Sequence, residues 1–280
     1  MLKITSANDS AACWHRIARV VVVVLATTLL VDAAVTADEI IVLHSRPGVT
    51  QRVLLWQPSE PDRQMVLLVF PGGGGDVGFE NRGDRVVTRN PYLFSRQRDL
   101  LERPGVAIAV IEAPSDQLNM DSEFRRSGQH FADMTAVALD LKSRFPRASL
   151  VLLGHSRGTV SAAYVAKALG DRVSAVILIS GFYERSPGWG PGLSEFEFDA
   201  LKVPLLIVHH VKDRCPSNRF GPAQRLAERF PSIVVDGPDE NRPDRPCAPG
   251  TNHWIAGREK ETIAEIFKWI DGKTWSRLIR

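Results

Sequence analysis

Residues 149–169 read SLVLLGHSRGTVSAAYVAKAL, and three kinds of segment follow one another inside them. Residues 149–153 are a short, continuous apolar run, as expected of a strand buried on both faces. Residues 159–169 are rich in alanine and read as a helix. Between them stands Gly154-His155-Ser156-Arg157-Gly158. At average residue usage a bare Gly-x-Ser-x-Gly arises by chance in roughly one chain in ten, so the setting has to carry the meaning. A strand that turns sharply into a helix needs small residues on both sides of the turn. It exposes the central residue at the strand's carboxyl end, where the helix N-terminus favours developing negative charge. Ser156 is therefore the candidate nucleophile, and the plainer alternative is a serine that caps the helix.

The same alternation runs outward along the chain. Residues 40–44 and 52–57 read as an opening pair of strands, with Pro47-Gly48 as the hairpin turn. Met65–Phe70 (MVLLVF), Val106–Ile111 and residues 149–153, 173–179, 204–209 and 232–236 continue the apolar runs. Helical patterns lie between them. Residues 131–145 place Phe131, Met134, Val137, Ala138 and Leu141 on one face, and 159–169, 223–230 and 261–270 also read as helices. Strands alternating with helices predict an α/β protein with a mostly parallel central sheet flanked by helices. Residues 75–90, polar and rich in Gly and Arg, read as a long surface loop. Residues 182–198 are broken by Pro187, Gly188, Gly190, Pro191 and Gly192 and leave room for little or no cap domain.

The chain has 280 residues, 44% of them hydrophobic, which suits one well-buried domain, expected over residues 38–280. A formal net charge of +3 without a run of Lys or Arg speaks against a nucleic-acid partner. At the start, Lys3, Arg16 and Arg19 precede an apolar stretch from Val20 to Val31, shorter than the about 20 residues of a membrane span. Val35-Thr36-Ala37 then supplies a small-x-Ala exit. Residues 1–37 are thus expected to be a secretory signal peptide, which would export the protein and leave no stable membrane span after cleavage. An uncleaved anchor or a first core strand is the alternative. Cys13 falls in that segment, and Cys215 and Cys247 remain as a pair in a compartment that permits a disulfide.

A serine hydroxyl is a weak nucleophile and needs a base. Residues 38–280 offer His44, His130, His155, His209, His210 and His253. His253, in Gly250-Thr251-Asn252-His253-Trp254, lies after the 232–236 run and before the last helix. His209 and His210 sit at a strand end and read as core or supporting residues, and His155 is too close in the chain to reach back to Ser156. Asp213 follows the 204–209 run; Asp236 and Asp239 follow the next one and compete with it for the acid's place. Pro71-Gly72-Gly73-Gly74-Gly75-Asp76 comes directly after Met65–Phe70, and glycines there let the backbone approach a ligand closely. Gly73-x-Gly75-x-x-Gly78 also spells a dinucleotide fingerprint, but that motif must open a helix, and Phe79-Glu80-Asn81-Arg82-Gly83-Asp84 reads as loop. Neither a cofactor nor a metal is expected.

Taken together, the glycine-rich loop, Gly-x-Ser-x-Gly, the acid and the histidine resemble, in that order, the α/β-hydrolase superfamily of serine hydrolases over nearly all of residues 38–280. The resemblance implies Ser156 as nucleophile, His253 as general base and Asp213 as the group that fixes the imidazole. It implies an oxyanion hole built from the backbone N–H of Arg157 and that of Gly73 or Gly74. The activity it implies is hydrolysis of a carboxylic ester or related acyl bond in a small-molecule acyl substrate, through an acyl-enzyme. A cofactor-free haloperoxidase or perhydrolase would use the same residues, and a non-catalytic small-ligand-binding protein is a further alternative. Phe-Pro-Gly-Gly-Gly-Gly in place of His-Gly-Gly-Gly separates the chain from the hormone-sensitive-lipase type. Cys215 lies two residues after Asp213 and Cys247 six before His253, so assembling acid and base is expected to bring the cysteines together as a disulfide. Two unconnected thiols are the alternative.

Overall fold

The computed structural model describes residues 38–57, 64–83, 85–93, 95 and 98–280; the expected signal segment, 1–37, lies outside the described residues. The chain opens with the hairpin β1 (Glu39–Arg46) and β2 (Val49–Trp56), as its Pro-Gly turn suggested. There follow β3 (Met65–Phe70), a ribbon of β4 (Phe79–Arg82) and β5 (Arg85–Thr88), α1 (Arg98–Leu101) and β6 (Val106–Ile111). Next come α2 (Ser122–Arg125), α3 (Gly128–Arg144), β7 (Ser149–His155), α4 (Gly158–Leu169) and β8 (Ala175–Ile179). The chain ends with β9 (Leu205–His210), α5 (Phe220–Ala227), β10 (Ser232–Val235), α6 (Glu259–Ile270) and β11 (Leu278–Ile279).

Nine strands form one sheet in the order β1-β2-β6-β3-β7-β8-β9-β10-β11. From β6 to β11 the neighbours are parallel, and β2 runs antiparallel to both of its neighbours, β1 and β6. The apolar runs are continuous because the sheet is covered on both faces. On β3, Val66, Leu68 and Phe70 enter a core shared with Met134 and Val137 of α3 and Val160 and Ala163 of α4. Leu67 and Val69, pointing the other way, join Ile263, Ile266 and Phe267 of α6.

Several elements depart from the sequence reading. Residues 75–90 are not all loop: β4 and β5 pair across Arg82 and Arg85. Apart from Phe79 their described side chains are exposed or half-buried, so no apolar period marks the ribbon. Helix α3 begins ahead of Phe131, because Ser127 caps it by accepting from the His130 amide at 3.2 Å. Helix α5 is displaced toward the N-terminus, with Pro222 in its first turn, where a proline is tolerated. Strand β11 has two residues, too few for periodicity to reveal.

The topology places a site. Strand β3 lies between β6 and β7, so the chain order reverses there, and open parallel sheets bind ligands outside the carboxyl ends at such a point. The turn from β7 into α4 is packed without slack. A Cβ on Gly158 would stand 2.0 Å from the Phe70 carbonyl oxygen, and one on Gly154 would stand 2.6 Å from the carbonyl oxygen of Gly158. Both contacts are with backbone, so neither can be relieved by turning a side chain. Gly158→Ala is expected to cost about 3 kcal/mol of stability by prying α4 from β3. Urea unfolding checks this, and an unchanged midpoint would contradict it.

Candidate active site

Ser156 ends the tight turn after β7 at φ 53°, a left-handed conformation that serine rarely adopts. The turn is held from several sides. The Ser156 N–H donates to the Ile179 carbonyl at 3.0 Å, and its carbonyl accepts from the amide and hydroxyl of Thr159 at 3.1 and 2.6 Å. Strain of this kind persists only where the surroundings over-determine it. The serine is 8% exposed and lines a cleft of about 580 Å³.

His253 lines the same cleft, on a single 3-10 turn between β10 and α6. Its Nδ1 donates to Oδ2 of Asp213 at 2.8 Å. Asp213 follows β9 and is buried. Nε2 of His209 lies 3.3 Å from the same oxygen, and Oδ1 accepts the Cys215 amide at 2.9 Å. Burial alone would raise this carboxyl. The charge of His253, followed by hydrogen bonds from His209 and His253, outweighs burial and holds the carboxyl well below its ordinary value. The competing aspartates have other partners: Asp236 pairs with Lys212 at 3.2 Å and Asp239 with Arg214 at 2.7 Å.

A disulfide joins Cys215 to Cys247, with Cα atoms 4.7 Å apart. Cys215 is the residue whose amide holds Asp213, and the Cys247 carbonyl accepts the Trp254 indole N–H at 3.0 Å. The bond therefore ties the loop of Asp213 to the loop of His253. His155 adds a second tie. Its Nε2 lies 3.0 Å from the His253 carbonyl, and its ring packs on those of His253 and Trp254, with centroids 5.0 and 5.1 Å away. A carbonyl only accepts, so His155 carries its proton on Nε2. Asn252 adds a third tie, donating to the Pro238 carbonyl and to Nε2 of His210.

On the other side of Ser156, the Gly75 amide closes a turn onto the Gly72 carbonyl at 3.2 Å. The N–H groups of Gly73 and Gly74 within it, and that of Arg157, meet no acceptor among the described residues. Asp76 leads on to β4, not to a helix, so the glycine spacing that mimics a dinucleotide site has no such context. Beneath this loop is a side chain that the sequence did not single out. Arg125, 0% exposed, donates to the carbonyls of Gly73 at 3.1 Å, Pro71 at 3.4 Å and Met120 at 3.2 Å, and to the Ser161 hydroxyl at 2.8 Å. Burial, and then the charge of Arg157, lower its pKa to about 9, so it remains a cation at neutral pH. A second hollow, of about 660 Å³, opens at the amino ends of β3 and β7, away from these groups.

Neither a family model nor a curated protein matches the chain. Solved structures do. An α/β serine hydrolase homologue from Coxiella burnetii is 16% identical at a TM-score of 0.54, the match covering 82% of this chain and 96% of that one. An α/β serine hydrolase without a lid from Xanthomonas campestris is 17% identical at 0.55, covering 85% and 95%. An esterase from Pyrococcus furiosus is 12% identical at 0.56, covering 85% and 93%. The chain has the α/β-hydrolase fold, and residues 182–197 carry no helical cap.

The buried histidines fix how the fold responds to acid. Burial pushes His130 and His155 down to about 3 and His210 to about 4. In the unfolded chain such rings take up protons near ~6.5. Between those values the unfolded state binds more protons, so stability is full above about pH 6.5 and falls as the pH drops toward about 4. Asp213, held low, adds to the loss once the pH falls below its unfolded value of about 3.9. The urea midpoint at about pH 5 is expected to lie well below that at about pH 7, reflecting a loss of unfolding free energy of at most about 2 kcal/mol per buried ring. Equal midpoints would contradict the placement of these rings.

Proposed function

We propose that the protein is an exported serine hydrolase that cleaves a carboxylic ester or related acyl bond through an acyl-enzyme on Ser156. The observation that carries this reading is the 2.8 Å bond from His253 Nδ1 to the buried carboxylate of Asp213. A neutral imidazole has one N–H, so that bond leaves Nε2 without a proton and able to accept one. His253 shares the cleft with Ser156, and no other histidine of the cleft has a carboxylate partner among the described residues.

In the proposed reaction Oγ of Ser156 attacks the substrate carbonyl as its proton passes to Nε2 of His253. The oxyanion accepts from the N–H of Arg157 and from that of Gly73 or Gly74; their lack of an internal acceptor supports this role. Collapse breaks the bond to the leaving group, which takes the proton from His253. Water then attacks the acyl-serine, giving its proton to His253, and the acid departs as Ser156 recovers a proton. Asp213 stays ionised and stabilises the imidazolium. A protein that only bound a ligand would have no use for a strained serine that shares a cleft with a carboxylate-held histidine. Export rests on the signal-like pattern of residues 1–37, and the Cys215–Cys247 disulfide supports it.

A screen of nitrophenyl esters of graded chain length, with a thioester and a peptide amide beside them, identifies the acyl bond. On the best substrate Ser156→Ala is expected to lower turnover by about 10⁴-fold or more while circular dichroism stays unchanged. Near-normal turnover by the folded variant would overturn the assignment.

A further inference from the structure

Arg157, next in the chain after Ser156, presents its side chain to the same cleft. Its guanidinium carbon lies 3.4 Å from the centroid of the Trp189 ring, and Trp189 also lines the cleft. Stacking of this kind orients a planar guanidinium without using up its donors. Nη1 is buried and has no hydrogen-bond partner, and Arg157 makes no ion pair among the described residues. Two other half-buried arginines behave differently: Arg126 pairs with Glu123 and Glu195, and Arg46 with Asp116 and Asp133. Burial lowers Arg157 to about 10, with no acidic neighbour opposing it, so it is a cation without a counter-ion at neutral pH.

The position of this cation gives it a use. A Cβ added to Gly73 would lie 3.9 Å from Nη2, so the guanidinium borders the glycine loop on the substrate side. Arg125, buried beneath that loop, adds a second positive charge with no ion pair among the described residues. Asp76 is the one carboxylate among the described residues that line the cleft; it is exposed and its side chain is paired with Asn90 at 3.4 Å. An oriented fork of donors, half-desolvated and unpaired, is the arrangement that recognises a carboxylate through two parallel hydrogen bonds.

We infer that Arg157, stacked on Trp189, forms an anion subsite, and that the substrate is an ester bearing a second, ionised carboxylate close to the scissile carbonyl. This rests on the acyl-enzyme reading above. It requires the ester of a short dicarboxylic acid to be preferred over a neutral ester of the same shape.

The test compares monomethyl glutarate with the methyl ester of glutaramic acid, which differ in charge and hardly in shape, by following acid release. The unaltered protein is expected to favour the anionic ester in kcat/KM by about 10- to 100-fold. Arg157→Gln is expected to abolish that ratio, Arg157→Lys to keep part of it, and Trp189→Leu to lower it. A variant that slows both esters alike, leaving the ratio unchanged, would show a structural role only and overturn the inference. So would equal kcat/KM values for the two esters with the unaltered protein. Should methyl esters turn over too slowly to measure, protection of Ser156 from a fluorophosphonate probe tests the subsite in their place. Glutarate is expected to protect at concentrations at least about tenfold lower than glutaramide, and equal protection would overturn the subsite. Labelling of Ser156 without any anion preference leaves the hydrolase reading standing and removes this one. Failure of Ser156 to label at all removes both.

Discussion

A carboxylate withdrawn from water must find donors, and Asp213 finds them on every side. His253, His209 and the Cys215 amide all face it, and each belongs to a different part of the site. His209 comes from the end of β9, so Asp213 is braced against the strand that precedes it. Cys215 hands the constraint across the disulfide to Cys247, and from there through Trp254 to the loop of the histidine. His155 closes the circuit, because the residue before Ser156 holds the His253 carbonyl. The proposed nucleophile, base and acid are thus tied through backbone and rings as well as through their own side chains. Such redundancy matters because proton transfer to a base tolerates little misplacement.

Charge is divided across the cleft. The buried negative group lies behind His253, and the buried positive group, Arg125, lies beneath the glycine loop that faces Ser156 from the other side. Arg125 does two things there. Its donors fix the carbonyls of Pro71 and Gly73, which sets the direction of the amides next to them. Its charge favours negative charge developing above the loop, in surroundings where water screens little. Glu112 braces the far end of the same segment, accepting from the Gly78 and Phe79 amides while paired to Arg52 at 2.7 Å.

The parallel sheet and the turn around Ser156 were legible because both rest on short-range rules. Met65–Phe70 and Val106–Ile111 are strands with the bounds that their apolar runs suggested. Gly154 and Gly158 are needed for reasons of contact a few residues away. What depended on distant partners was hidden. Asp236 and Asp239 stood as competitors of the preferred Asp213, because their ion pairs with Lys212 and Arg214 could not be read from the sequence. Nothing in Ser122-Glu123-Phe124-Arg125-Arg126 marks the first arginine as buried and the second as ion-paired at the surface. Trp189 read only as part of a Pro/Gly-rich loop, and its ring gained meaning from the guanidinium on it. The β4–β5 ribbon escaped notice because Phe79 alone among its described residues is buried.

The proposal that Ser156 is transiently acylated by its substrate is the claim on which the others turn. The direct measurement is to mix the protein with a slowly deacylating ester, quench in acid and map the mass of its peptides. The account predicts an increment equal to the acyl group on the peptide that contains Ser156, disappearing at neutral pH as free acid accumulates. Turnover with no adduct on Ser156, or with the acyl group on another residue, would contradict it.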